Sequence, residues 1–186
     1  MRTVTGLFDT REQADRAVEA LEDAEIPGAD ISLVAPGEEE ASGTTAGAGI
    51  GAAVGGAGGL LAGLGAFAIP GVGPFIGAGW LAATLIGAAA GGVAGGLLGS
   101  LTDAGVDERD AHVYAEGMRR GGTLVTARVD DAHVDAAAAI FGQSGSVDIA
   151  NRRSEYEATG WSGYEEAPAS ELDPVGSRPV LPGLPR

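Results

Sequence analysis

The sequence contains neither cysteine nor lysine. Without cysteine the chain has no disulfide, no thiolate metal ligand and no thiol nucleophile. Without lysine it has no P-loop, because that phosphate-binding motif requires a lysine after its glycines. Two large classes of enzyme, the thiol-dependent and the P-loop enzymes, are therefore excluded.

Positive charge is also scarce. The chain has 11 basic residues against 26 acidic ones, and its formal net charge is −15. An acidic protein of this kind repels the phosphate backbone, so we expect no nucleic-acid partner. The first residues do not show the basic and then apolar pattern of a signal peptide, so we expect no export by that route.

Residues that carry catalysis are few. The only histidines, His112 and His133, fall on separate predicted helices and make a poor metal site without cysteine. Although there are 33 glycines, no Gly-x-Gly-x-x-Gly motif opens a helix after a strand, which argues against dinucleotide binding. The sequence therefore predicts no catalytic residue, metal, cofactor or small-molecule substrate, and a protein that is not an enzyme.

Residues 1–36 have the pattern of a β-α-β unit. Thr3 to Phe8 read as a strand, and the following residues place alanine, valine and leucine at helical spacing with charged residues on the other side. Pro27 and Gly28 end this helix, and Ile31 to Ala35 read as a second strand. An acidic linker, residues 37–45, follows.

Residues 46–102 differ from the rest in kind. No side chain between Glu40 and Asp103 is charged, and small residues recur at every fourth position. The pattern predicts a glycine-zipper α-helical hairpin with its turn at residues 69–74, where Pro70, Gly71, Gly73 and Pro74 cluster. The first series is Gly47, Gly51, Gly55, Gly59 and Gly63, and the second is Gly79, Ala83, Gly87, Gly91, Gly95 and Gly99.

A glycine at every fourth position gives a helix one face without side chains. A second helix can approach such a face until the backbones touch, gaining dispersion contacts and weak Cα–H···O bonds. Each glycine also costs a helix about 1 kcal/mol relative to alanine. Close packing is needed to offset that cost, so we predict that both series form a helix-packing or oligomer interface.

Residues 103–151 return to the pattern of a folded domain, with the order α-β-α-β. A helix over Glu108 to Arg120 precedes a strand over Thr123 to Val129, and a second helix leads to a last strand at Ser146 to Ala150. Residues 152–186 are rich in proline and lack a periodic apolar face, which predicts a disordered tail.

Joining the two flanking segments gives the predicted fold. It is an α+β, split ferredoxin-like β-α-β/α-β-α-β sandwich with its helices on one face, interrupted between the second and third strands by the glycine-zipper hairpin. A hairpin inserted there leaves and re-enters on the same side, so both halves can meet.

Three stretches resemble a known family. Residues 6–14 (GLFDTREQA) resemble the start of the YflT-type domain of bacterial general-stress proteins, and residues 69–76 (IPGVGPFI) and 121–126 (GGTLVT) are similar to the glycine-zipper relatives of that domain. The resemblance implies a heat- or stress-induced bacterial protein, often a membrane protein, without an established activity. It implies no catalytic residues.

These observations lead to three hypotheses of function. The first is a non-enzymatic, membrane-associated stress-response protein that self-associates through the hairpin, with the hairpin in the bacterial inner membrane and the α/β domain in the cytoplasm. The predicted helices are long enough to cross a hydrocarbon core of about 30 Å. The second is a soluble, cytoplasmic homo-oligomer with the hairpins bundled in its core, and the third is an oligomeric pore. The expected partners are other copies of the chain and a lipid bilayer.

Overall fold

The computed structural model describes residues 1–37, 65–69, 73–91 and 96–164. Within these ranges an antiparallel sheet of five strands is packed against six α-helices, which confirms the α+β class. The strands are β1 (Arg2–Phe8), β2 (Ile31–Pro36), β3 (Gly65–Ile69), β4 (Gly73–Ala78) and β5 (Thr123–Val129). The helices are α1 (Arg11–Asp23), α2 (Trp80–Gly91), α3 (Gly96–Asp103), α4 (Glu108–Arg119), α5 (Val134–Ser144) and α6 (Ile149–Ala158).

The strand order is β1-β5-β2-β4-β3, and all neighbours are antiparallel. Strand β5 lies between β1 and β2, so that Thr126 stands opposite both Thr5 and Ser32. The first β-α-β unit is therefore split by a strand that comes from beyond the uncharged segment. The two flanking segments of the chain form one sheet.

The predicted helical hairpin is wrong at residues 65–69 and 73–78, which form β3 and β4. Strand β4 pairs with β2 through the register Ala35 to Ile76, and β3 pairs with β4 in turn. Phe75 lies in one core and Ile76 packs against the other, an alternation with the period of a strand. This segment forms a strand and not a helix because the edge of β2 supplies hydrogen-bond partners to β4.

The chain does reverse direction between Ile69 and Gly73, as the predicted turn requires, because β3 and β4 are antiparallel. Gly73 and Pro74 are the first residues of β4. Pro70 and Gly71 lie outside the described residues. The first predicted helix, as far as residue 64, also lies outside them.

The predicted last strand at Ser146 to Ala150 is wrong. Val147 meets the edge of β1, where its N–H donates to the carbonyl oxygen of Leu7 at 2.7 Å. The next residue, Asp148, accepts a hydrogen bond from the N–H of Asn151 at 2.8 Å and so caps α6. Because this cap starts a helix at once, no strand extends along β1.

The tail predicted from residue 152 is wrong as far as residue 164. Helix α6 continues to Ala158, and the chain then folds back so that Tyr164 is only 4% exposed. The N–H of Tyr164 donates to Nδ1 of His112 in α4 at 3.1 Å. Residues 165–186 lie outside the described part of the chain.

Helices cover both faces of the sheet, not one as predicted. On the first face α1 and α5 pack on Phe8, Leu33 and Val125. On the second face the core contains Leu7, Val34 and Leu124 together with residues of α2, α3 and α4. Adjacent residues of the same strand are apolar, so both faces have to be buried. The described chain does not form the complete ferredoxin-like strand order. The predicted last strand, which would lie beside β1, is missing from the described residues, and β4 and β3 extend the sheet at the opposite edge.

Candidate association surface

The second glycine series falls on α2 and α3 and on the turn before them. Gly79 precedes α2, Ala83, Gly87 and Gly91 lie within α2, and Gly99 lies in α3. The other predicted interface positions lie outside the described residues; they are Gly47, Gly51, Gly55, Gly59, Gly63 and Gly95.

Gly79 has a different role from the one predicted. It has φ +93°, and a β-carbon there would lie 2.3 Å from the carbonyl oxygen of Ile31. The neighbouring Ser32 hydroxyl donates to the carbonyl oxygen of Ala78 at 2.8 Å and accepts from the N–H of Ala82 at 3.3 Å. Gly79 therefore permits the tight turn from β4 into α2 against β2, and it is not part of a helix-packing face.

Helix α2 has a buried side and an exposed side. Leu81, Ala82 and Leu85 are buried in the core of the second face, whereas Ala83 is exposed. Gly87 and Gly91 follow Ala83 at intervals of four residues in the same helix, which places them on one row. The row of small residues in α2 therefore begins on the side turned away from the core.

Helix α3 repeats this arrangement. Leu97 and Leu101 are buried in the same core. A β-carbon built on Gly99 would meet no atom of the described residues within 4 Å. We define the association surface as Ala83, Gly87, Gly91 and Gly99. Among the described residues, Ala83 is exposed and nothing lies close to the Cβ position of Gly99.

A carboxylate buried between two arginines lies elsewhere, at the end of α4. Glu116 is 1% exposed, and its carboxylate accepts hydrogen bonds from Nε of Arg119 at 2.8 Å and from Nε of Arg120 at 2.6 Å. Burial alone would raise the pKa of Glu116, but the hydrogen bonds and positive charges of the two arginines outweigh it and lower the pKa. Both carboxylate oxygens are occupied, as expected of a structural ion pair.

The arginines of this region connect α4, α6 and the N-terminal segment. The guanidinium of Arg120 lies 4.2 Å from the ring centre of Tyr156, a cation–π contact. Arg152 pairs with Asp9 at 2.8 Å, and Arg153 pairs with Asp110. These contacts hold α6 on the domain.

A second cluster ties the start of α2 to the sheet. The indole N–H of Trp80 donates to the carbonyl oxygen of Asp30 at 3.3 Å, and the guanidinium of Arg128 lies 4.7 Å from the Trp80 ring centre. Arg128 also pairs with the Asp30 carboxylate at 3.0 Å. Sequence reasoning missed this cluster because its three residues are far apart in the chain and form no motif.

The described residues show no arrangement for metal chemistry. His112 accepts the hydrogen bond from Tyr164, and His133 lines a cavity of about 290 Å³ beside Asp30 and Arg128. No group of three or more histidine and acidic side chains in the described ranges is placed to hold an ion.

Burial raises the pKa of Tyr114, whose hydroxyl donates to the carbonyl oxygen of Thr5 at 3.1 Å, so this phenol stays protonated.

No family model, curated protein or solved structure matches this chain. The resemblance to the general-stress family therefore stays a prediction. Of the helices in the described ranges, none combines the length and the apolar character needed to cross a bilayer.

Proposed function

We propose that the protein is a non-enzymatic assembly protein that associates with copies of itself through the association surface of α2 and α3. The observation that carries this proposal is the orientation of the two helices. Their leucines point into the core while Ala83 is exposed and the Cβ position of Gly99 is open. Two of the small residues predicted to pack against another helix, Ala83 and Gly99, thus lie away from the described core.

Small residues on an exposed helix face favour close backbone contact. A glycine in a helix costs about 1 kcal/mol relative to alanine, and nothing within the described fold repays that cost at Gly99. Contact with a second helix at short distance would offset it through dispersion and Cα–H···O interactions. Excess negative charge over the rest of the protein would keep such assemblies soluble.

The packing of α2 and α3 favours assembly over the membrane hypothesis. The second half of the predicted hairpin contributes core residues to the α+β domain, namely Leu81, Leu85, Leu97 and Leu101. Its large apolar side chains are therefore buried within the domain. A membrane-associated function, with the segment before residue 65 in lipid, stays a second hypothesis. The stress-response role and the pore stay predictions from the sequence.

The test compares the mass of the full-length protein with that of variants, by light scattering after size-exclusion chromatography over a range of concentrations. Gly99→Gln and Ala83→Gln place a bulky polar side chain on the association surface without a clash in the described fold. We expect the wild type to run as an oligomer. For both variants, the protein concentration below which the oligomer dissociates should be at least tenfold higher than for the wild type.

The matched control is Gly142→Gln. Gly142 also lies in a helix, α5, and a β-carbon there would meet no described atom within 4 Å, but it belongs to neither of the two predicted glycine series and lies on a different helix from the association surface. We expect this variant to keep the wild-type mass. A wild type that is monomeric at every concentration would disprove the proposal.

A further inference from the structure

The chain after α6 folds back as a short strap, which we define as residues 159–164. The start of the strap is tied to α6, because the N–H groups of Thr159 and Trp161 donate to the carbonyl oxygen of Tyr156 at 3.0 and 3.2 Å. The Trp161 ring also lies edge-on to the Tyr156 ring, with 5.6 Å between their centres. At the other end of the strap, Tyr164 is buried in the core of the second face. The strap therefore runs from the end of α6 back into the core.

A histidine accepts the hydrogen bond at the buried end of the strap. The N–H of Tyr164 donates to Nδ1 of His112 in α4 at 3.1 Å. Gly163 has φ +147°, and a β-carbon there would lie 3.7 Å from the same nitrogen, so the strap backbone passes close to the imidazole. A ring nitrogen accepts a hydrogen bond only while it carries no proton, and both ring nitrogens of an imidazolium are donors. The closed strap therefore requires a neutral His112 with its proton on Nε2.

The charged and titratable groups around His112 come from α4 and from the elements packed on it, α3, β5, α6 and the strap. They are Glu108, Arg109 and Glu116 within about one turn on α4, Asp103 of α3, Arg128 of β5, Arg153 of α6 and the phenol of Tyr164. Carboxylates, phenols and guanidinium groups ordinarily titrate well outside the range from about pH 5.5 to 8. The pKa of Glu116 is lowered further by its two arginines. Among the described residues of these elements, His112 is therefore the side chain expected to change charge in that range.

We propose that His112 is a pH-sensitive switch that holds the strap closed while its imidazole is neutral and opens it when the imidazole is protonated. Protonation of Nδ1 removes the acceptor of the Tyr164 N–H and places a second donor opposite it. The hydrogen bond thus favours the closed strap near pH 8 and is lost as His112 gains its proton toward about pH 5.5. The bonds from Thr159 and Trp161 to Tyr156 persist, because a peptide carbonyl does not titrate in this range. Opening at Tyr164 uncovers apolar surface of the core of the second face.

Amide hydrogen exchange of the full-length protein, measured by NMR, tests the switch. Two amides are compared in the same molecule after correction for the intrinsic pH dependence of exchange. One is the N–H of Tyr164, and the other is the N–H of Val147, which donates to the carbonyl oxygen of Leu7 at 2.7 Å and so has an acceptor that does not titrate. Between about pH 8 and about pH 5.5 we expect the protection of Tyr164 to fall by about tenfold, the effect of losing one hydrogen bond. The protection of Val147 should stay constant.

His112→Asn tests the role of the imidazole directly. The side-chain oxygen of asparagine is one bond from Cγ, as Nδ1 is in histidine, and it accepts a hydrogen bond without titrating. We expect the protection of Tyr164 in this variant to be independent of pH. The matched control is His133→Asn, since His133 is the only other histidine and lines the cavity beside Asp30 and Arg128. This control should keep the pH dependence of the wild type.

Three results would overturn the inference. The first is equal protection of the Tyr164 N–H in the wild type at both pH values, and the second is a parallel loss at Val147, which would report opening of the whole domain. The third is a His112→Asn variant that keeps the pH dependence of the wild type. The comparison of the two wild-type amides decides the inference even if this variant does not fold. The oligomer mass is measured separately, so the inference and the proposed function can fail independently.

Discussion

The carboxylate of Glu116 and the guanidinium of Arg120 are joined by a hydrogen bond of 2.6 Å at the edge of the core. Arg119 also donates to this carboxylate, and both arginines remain partly exposed. The buried member of this network is an anion, so its contribution to stability depends on pH and on the charge of one side chain.

Glu116→Gln should destabilise the protein by about 1–3 kcal/mol at pH 7, because the charge-assisted hydrogen bonds to both arginines are lost. The pKa of Glu116 is lowered in the folded protein, so its stabilising effect is present above the pKa of the unfolded chain and is lost as the pH falls through the folded pKa. Urea denaturation should therefore show a difference between wild type and variant that is constant near pH 7 and shrinks below about pH 4.5. A difference that grows in acid would contradict this assignment.

Gly117→Ala should destabilise the protein by about 1–3 kcal/mol through overpacking. A β-carbon at position 117 would lie 2.3 Å from Cδ2 of Leu7, which is itself buried under α4. The matched control is Gly142→Ala, where the position is open and the change should stabilise the helix by up to about 1 kcal/mol. Thermal denaturation of both variants measures this difference. Equal melting temperatures would contradict a steric conflict between position 117 and Leu7.

Gly79→Ala and Gly105→Ala separate backbone strain from steric conflict. Both glycines have nearly the same dihedral, φ +93° and φ +91°. A β-carbon at Gly79 would overlap the carbonyl oxygen of Ile31, whereas one at Gly105 would meet no described atom within 4 Å. We expect Gly105→Ala to cost about 1–2 kcal/mol from the left-handed conformation alone. Gly79→Ala should lower the free energy of unfolding by clearly more in the same denaturation experiment. Comparable losses for the two variants would show that the turn at Gly79 is not packed closely against Ile31 of β2.

Tyr164→Ala should destabilise the protein by about 2–4 kcal/mol, because Tyr164 is buried in the core of the second face. Glu157→Ala, on the exposed side of α6, is the control and should change stability by less than about 0.5 kcal/mol. Hydrogen exchange provides a second measurement, since the N–H of Tyr164 donates to His112 and should exchange slowly. Fast exchange with no loss of stability would restore the interpretation of residues 152–164 as a disordered tail.

The elements with strong periodicity were predictable from the sequence. Strand β1, helix α1 and strand β2 lie where the alternation and helical spacing of residues 3–36 place them, and β5 occupies Thr123–Val129 as predicted. The lack of cysteine and lysine and the excess of acidic residues exclude whole classes of chemistry without any structure. Local patterns of this kind suffice because each such element carries its own apolar face.

The remainder depended on tertiary structure. A run of glycine, alanine and a few large apolar residues is compatible with both helical and strand packing. Residues 65–69 and 73–78 are strands because β4 pairs with the edge of β2 and β3 pairs with β4. After Val147, whose N–H donates to the distant Leu7, the chain enters α6, and Tyr156 of that helix is buried against the domain. The clusters of Trp80 with Arg128 and of Arg152 with Asp9 join residues distant in sequence. Only the folded chain brings such groups into contact, so no local sequence pattern predicts them.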